Sequence, residues 1–240
     1  MVLSDTIPRA ATYDPAADPE KLAYFGEVVR RRLVAHPAVT QLESERAEVF
    51  AVEGFLKRRD CREIVKVINH EAVPSTLHAG FNREEIRTSH THYFGPHDPL
   101  TRSVELYISD LLGIDDNYSE TMQGQRYQSG QQYKHHLDYL SVSEDYWATE
   151  GRMGGQRTWT AMICLHEPKS GGETDFPKLG LQLQPKVGSL FIWNNMTPQG
   201  HPNPMTLHAG LPVKKGVKHI ITKWYRQEPW RLLNVTYPGL

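Results

Sequence analysis

The chain has 240 residues, 39% hydrophobic and 10% aromatic, which is enough to bury a sizeable core without metal or disulfide staples. Its 27 Lys plus Arg nearly cancel 28 Asp plus Glu, which excludes a strongly basic nucleic-acid binder and an acidic solvated tail, so no nucleic-acid partner is expected. Two cysteines, Cys61 and Cys164, are too few for a disulfide framework, and no run approaches the ~18 apolar residues of a membrane span, so a cytoplasmic protein with no membrane partner is expected.

Residues Asp5 to Asp18 are rich in Pro, Ala and Asp and read as an aperiodic lead-in. Asp18-Pro19 then supplies an N-cap and a proline for the first helical position, and Leu22, Phe25, Val29 and Leu33 recur at helical spacing as far as Pro37. Val49, Phe50, Val52 and Phe55 mark a strand within 47–55, and Cys61, Ile64, Val65 and Ile68 a helix over 57–71. A third helix is expected from Asp98-Pro99 to Leu112, ending near Gly113. Beyond it, short apolar or alternating runs separated by Gly, Pro and Asn predict strands at 121–127, 158–166, 181–183, 188–193, 205–209 and 217–226, the texture of an antiparallel sandwich or barrel. Helices followed by sheet make an α+β domain. Two long loops, 141–156 and 194–204, are expected to shape access to a site.

Of twelve histidines, His136 is the best placed for chemistry. In His136-Leu137-Asp138 an extended backbone turns the imidazole and carboxylate to one side and Leu137 to the other. Such a triplet is weak without a third ligand. His208, on a later strand, can complete a set of two histidines and one carboxylate, which leaves positions open on a non-heme Fe(II) ion; taken singly it reads as a core histidine. Ten residues on, alternation puts Lys218 on an apolar face with Ile220, Thr222 and Trp224, where it needs an anion or must snorkel to the rim. A second Leu-His-Ala-Gly at 77–80 lacks strand alternation and is read as coincidence, and His90, His92 and His97 with Asp98 are read as loop histidines rather than a zinc cluster.

From about Arg87 to Trp224 the chain resembles the prolyl 4-hydroxylase family of Fe(II)/2-oxoglutarate dioxygenases. The matching stretches are Gln125 to Tyr139, Arg157-Thr158-Trp159-Thr160, Gly171 to Pro177, Gly188 to Trp193, Leu207 to Val213 and Gly216-Val217-Lys218, in the family's order. The resemblance implies a double-stranded β-helix, a jelly-roll barrel flanked by N-terminal helices, with 1–46 as a helical extension and 47–240 as the dioxygenase domain. It makes His136, Asp138 and His208 the iron ligands. Lys218 then looks like the residue that pairs with the distal carboxylate of 2-oxoglutarate, beside Tyr127 and Thr174, while Arg157 and Trp224 match positions near the reacting molecules. O2 is the co-reactant and ascorbate an accessory reductant. The implied reaction is hydroxylation of an unactivated C–H bond, first of peptidyl-proline, with a free amino acid, another small molecule or a non-catalytic metal-binding module as the alternatives. Tyr139, Tyr146, Trp147, Trp159 and Trp193 offer flat surfaces suited to a proline ring. Nothing in the sequence fixes the oligomeric state.

Overall fold

A computed structural model describes residues 17–43, 45–75, 86–96 and 98–230; His78, His97 and the lead-in before residue 17 lie outside them. Helix α1 (Pro19–Ala35) starts where the sequence places it, with the Asp18 carboxylate accepting a hydrogen bond from the Lys21 amide at 3.1 Å. Strands β1 (Thr40–Glu43) and β2 (Val49–Val52) follow, then α2 (Arg58–Glu71), β3 (Val73–Pro74), β4 (His90–Tyr93) and α3 (Arg102–Leu112), which closes on Gly113 at φ 72°. The barrel continues through β5 (Gln123–Gln128), β6 (Tyr133–His136), the short α4 (Trp147–Glu150), β7 (Arg157–His166), β8 (Ser170–Gly171), β9 (Thr174–Phe176) and β10 (Leu181–Leu183). It ends with β11 (Leu190–Asn194), β12 (His208–Gly210), β13 (Val213–Lys215) and β14 (Val217–Arg226).

An eight-stranded antiparallel sheet, in the order β1-β2-β11-β7-β14-β5-β4-β3, faces a four-stranded sheet in the order β10-β9-β12-β6. This is a double-stranded β-helix. Alternation along β7 explains the layering: Trp159, Ala161, Ile163 and Leu165 turn toward the helices, where Phe25, Val29, Leu33, Ile64, Ile68 and Ile108 cover them. Met162 turns the other way, into the space between the sheets, with Tyr127, Phe176, Phe191, Trp193 and Ile220. Residues of the 1–46 extension thus share the helix-side core with the barrel, and β1 pairs with β2.

Several expectations change. The histidines at 90 and 92 sit on β4 rather than in a loop: His-Thr-His-Tyr carries its alternation in polar residues, which hides a strand from a hydrophobic pattern. In place of a strand at 205–209, Pro204–Thr206 forms a 3-10 turn and only His208–Gly210 is extended, because Asn203 caps the turn through its side chain. Trp159 is fully buried on the helix side and does not face the inter-sheet space.

The helix-side face of β14 also carries charge. Lys223 is fully buried, with Nζ 2.7 Å from Ser119 Oγ, 2.8 Å from Asp116 and 3.3 Å from Glu105. His219, on the same face, donates through Nε2 to Asn69 Oδ1 at 2.9 Å, and the register lays His90, Arg126, His219 and His166 side by side across four strands. Burial first, then His166 and Arg126, push the His219 imidazole down to about 4. A histidine depressed in the folded state adds stability that is complete above its ordinary value of 6.5 and is lost as pH falls toward 4. The wild type is therefore expected to lose about 2–3 kcal/mol more than His219→Gln between pH 7 and pH 4.5. Urea titration at the two pH values measures this, and equal losses would show that His219 does not titrate with folding.

Candidate metal centre

Strands β6 and β12 are neighbours in the smaller sheet, and their register sets His208 directly across from His136. Opposed residues on an antiparallel pair stand roughly 4.5–5.5 Å apart at Cβ, which is how two histidines distant in sequence come to share a site. Asp138 lies in the bend just after β6 and is buried. Its Oδ1 is 3.7 Å from His136 Nε2 and its Oδ2 3.9 Å from His208 Nε2. The three donor atoms fall within 4.8 Å of one another, the only such group among the described residues.

The proton inventory shows what these atoms can do. His136 Nδ1 is 2.8 Å from the Lys134 carbonyl and His208 Nδ1 is 2.9 Å from the Thr206 carbonyl. A carbonyl only accepts, so both rings carry their proton on Nδ1 and leave the Nε2 lone pair facing Asp138. Burial, reinforced by His208, pushes the His136 imidazole down to about 3, so it is neutral and ready to donate that lone pair. Separations of 3.7 and 3.9 Å are too long for hydrogen bonds yet shorter than the span of two metal–ligand bonds of roughly 2.0–2.2 Å. The residues fit a divalent ion, and two imidazoles with one carboxylate are the donor set of non-heme Fe(II) centres with open positions. His135 points out instead, with its side chain half exposed 3.8 Å from Asp175. Tyr133 stacks on His136 at 3.5 Å between ring centroids, while Phe176 and Trp193 flank His208 at 5.2 and 5.0 Å.

The inner cavity that holds these three side chains is also lined by Lys218, Tyr127 and Thr174. β14 pairs with β5 so that Lys218 opposes Tyr127, and Lys218 Nζ lies 3.4 Å from Thr174 Oγ1 and 5.8 Å from the Tyr127 ring centre. Only 3% of Lys218 is exposed, and among the described residues no carboxylate stands within ion-pair distance. Burial pulls its ammonium down to about 8. Lys223, five residues along the same strand and equally buried, is met by two carboxylates. The contrast sets Lys218 apart as a buried cation without an ion pair among the described residues, an environment that favours an anionic partner.

Arg157 and Trp224 lie together at the rim. The Arg157 guanidinium sits 4.4 Å over the Trp224 ring and grips Glu120 through two hydrogen bonds of 2.6 and 2.7 Å, and Arg226 reaches the same carboxylate at 2.9 Å. Burial alone would raise the Glu120 carboxyl, but the two guanidiniums outweigh it and bring it down to about 2. Arg157, Trp224 and Glu120, with Asp138, Tyr133 and Trp230, line an outer cavity of about 280 Å³. Of the aromatic residues expected to offer flat surfaces, Trp193 lines the inner cavity, and Tyr139, Tyr146 and Trp147 are not among those lining either one.

Sequence reasoning missed Arg87, which lines both cavities 5.1 Å over the Tyr133 ring, hydrogen-bonded to Ser89 Oγ and Thr91 Oγ1. The signal was there: residues 87, 89 and 91 alternate onto one face. Thr160 and Asn195, which back Asp138, carried no comparable signal, since their contact depends on the pairing of β7 with β11.

Comparison with known proteins places these features in company. The profile of the 2OG-Fe(II) oxygenase superfamily matches residues 122–226, the span that contains the three donors and Lys218. Prolyl 4-hydroxylase 5 of Arabidopsis thaliana is 31% identical over 203 residues, covering 75% of this chain and 68% of the relative. Among solved structures, the viral collagen prolyl hydroxylase of Paramecium Bursaria Chlorella virus-1, in its 2OG complex, is 30% identical with a TM-score of 0.60, over 74% of this chain and 95% of that one. A Pseudomonas putida prolyl-4-hydroxylase shares the fold at 20% identity and a TM-score of 0.55, over 85% and 98%.

Proposed function

We propose that this chain, which belongs to the prolyl 4-hydroxylase family of the 2OG-Fe(II) oxygenase superfamily, hydroxylates a prolyl residue within a peptide or protein. It is an Fe(II)- and 2-oxoglutarate-dependent dioxygenase. The observation that carries the reading is the meeting, in one cavity, of a two-histidine, one-carboxylate set with a buried lysine that makes no ion pair among the described residues.

His136, Asp138 and His208 are assigned to hold the iron through the two Nε2 atoms and the carboxylate. Lys218 is assigned to the far carboxylate of 2-oxoglutarate, with the Thr174 hydroxyl as a further hydrogen-bonding group and the Tyr127 ring as one wall. When bound, Fe(II) and 2-oxoglutarate supply the O2-consuming oxidation that yields succinate and CO2 and places a hydroxyl on a C–H bond. Around that chemistry the chain's part is placement. The Nδ1 hydrogen bonds fix both imidazoles, and Tyr133, Phe176 and Trp193 wall them from water. Arg157, locked by Glu120, stiffens the Trp224 face that borders the outer cavity, where an apolar ring flanked by polar amides fits Tyr133, Trp224 and Trp230 above Arg87. Free, buried Cys61 and Cys164 support the cytoplasmic setting expected from composition.

Succinate release with Fe(II), 2-oxoglutarate and ascorbate tests the substrate. Proline-rich peptides are expected to stimulate it at least ~10-fold over free proline at equal concentration, because an extended segment engages the outer cavity on both sides of the ring. Stimulation by free proline or another amino acid, with peptides inert, would replace the peptidyl reading.

A further inference from the structure

The Asp138 carboxylate does not stand alone in its pocket. Its Oδ2 accepts a hydrogen bond of 2.7 Å from the Thr160 hydroxyl, and that hydroxyl lies 2.9 Å from Asn195 Nδ2. Both supporting residues are completely buried. Their positions come from the larger sheet: Thr160 on β7 opposes Trp193, next to Trp224, and Asn195 follows β11 with its backbone amide bonded to the Thr158 carbonyl. A hydroxyl has one proton. A carboxylate that only accepts claims it, so the Asn195 side chain must present its NH2 to the remaining lone pair, and the Asn195 orientation is fixed by charge rather than chosen freely.

From this geometry we infer that Asn195 and Thr160 form a hydrogen-bond relay across the two sheets whose task is to hold the Asp138 carboxylate in one rotational state, making both of them positioning residues for the metal. The inference rests on the assignment of His136, Asp138 and His208 as ligands. Asp138 is the one ligand of the three that sits past the end of its strand, in a bend, without the strand pairing that fixes the two histidines. Its carboxylate would otherwise be free to turn about its last torsion, which is broad for a terminal carboxyl group. One charge-assisted bond removes that freedom, and the second bond, from Asn195, removes the alternative in which the Thr160 proton turns away.

The test is Mn(II) binding to the metal-free full chain, followed through the signal of free Mn(II), which needs no turnover. Thr160→Val keeps the shape and loses the proton; it is expected to bind Mn(II) about 10–100-fold more weakly. Thr160→Ser restores the hydroxyl and is expected to stay within about threefold of wild type, whereas Asn195→Ala, which frees the Thr160 proton to rotate, is expected to fall between the two. Melting temperatures in metal-free buffer identify any variant that fails to fold, and the Ser and Ala substitutions then carry the test. Asp138→Ala is the control. Wild-type affinity in Asp138→Ala would overturn the ligand assignment itself; weak binding there with wild-type affinity in folded Thr160→Val, or equal losses in the Val and Ser variants, would overturn the relay alone.

Discussion

Replacing Lys218 with methionine is expected to raise the KM for 2-oxoglutarate by at least ~100-fold and, at the same time, to stabilise the protein when no cosubstrate is bound. The two effects share one cause. The ammonium is buried with no carboxylate within ion-pair distance among the described residues, and burial, only partly offset by the more distant Glu173, pulls it from 10.5 to about 8. A lysine depressed in this way costs the folded state about 3 kcal/mol below pH 8, and the cost disappears as pH rises from about 8 to 10.5, where the unfolded chain also gives up its proton. Methionine fills similar volume and carries no charge, so the substrate-free variant should melt higher at pH 7 and lose its advantage near pH 10. Breaking a buried ion pair costs about 3–5 kcal/mol, which is the ~100-fold or more in KM. Wild-type protein should gain stability on adding 2-oxoglutarate and metal, and Lys218→Met should gain little. An unchanged KM would assign the distal carboxylate to another cation, Arg87 being the other one that lines the same cavity among the described residues.

How much of this could be read beforehand depends on the range of the contacts involved. The first helix was legible in full because its determinants are local: a capping Asp18, Pro19 at the first turn and a stripe from Leu22 to Leu33. His136 and Asp138 were legible as a pair from their two-residue spacing, although Asp138 lies in the bend just past β6 and not on the extended strand that the pattern suggested. His208 needed the resemblance, since only the pairing of β6 with β12 shows that it stands opposite His136. The strand at β4 was missed because its buried faces are made by Thr and His, and Asn195 because its meeting with Thr160 is written in the register of two strands.

Alternation along β14 divides the work of that strand, which explains why one short segment carries so much. Lys218, Ile220, Thr222 and Trp224 line the inner cavity, while the helix-side residues His219, Lys223 and Tyr225 anchor the sheet to α2 and α3. The buried pairs of Lys223 with Glu105 and Asp116 fix the register, and the register sets Lys218 against Tyr127 and Trp224 against Thr160. A slip of one residue would exchange the two faces and put Lys218 under the helices.

The larger loss is expected at the metal donors. His136→Ala, Asp138→Ala and His208→Ala should each reduce iron-dependent succinate release below detection, a fall of at least ~1,000-fold, because a three-donor site deprived of one donor loses both affinity and the geometry that leaves the remaining positions open. Folding should survive: each side chain is held by one backbone carbonyl or one hydroxyl, and its removal leaves no unpaired charge. His135→Ala serves as the register control, since that ring is half exposed beside Asp175, and it should retain most of the activity. Metal titration separates cause from consequence. The three donor variants should bind Mn(II) far more weakly than wild type, while Lys218→Met should bind it normally and fail only toward 2-oxoglutarate, because its ammonium contributes no lone pair to the ion. Turnover surviving in His208→Ala would mean that the ring facing His136 across the sheet is structural, and the third donor would then have to come from elsewhere in the chain.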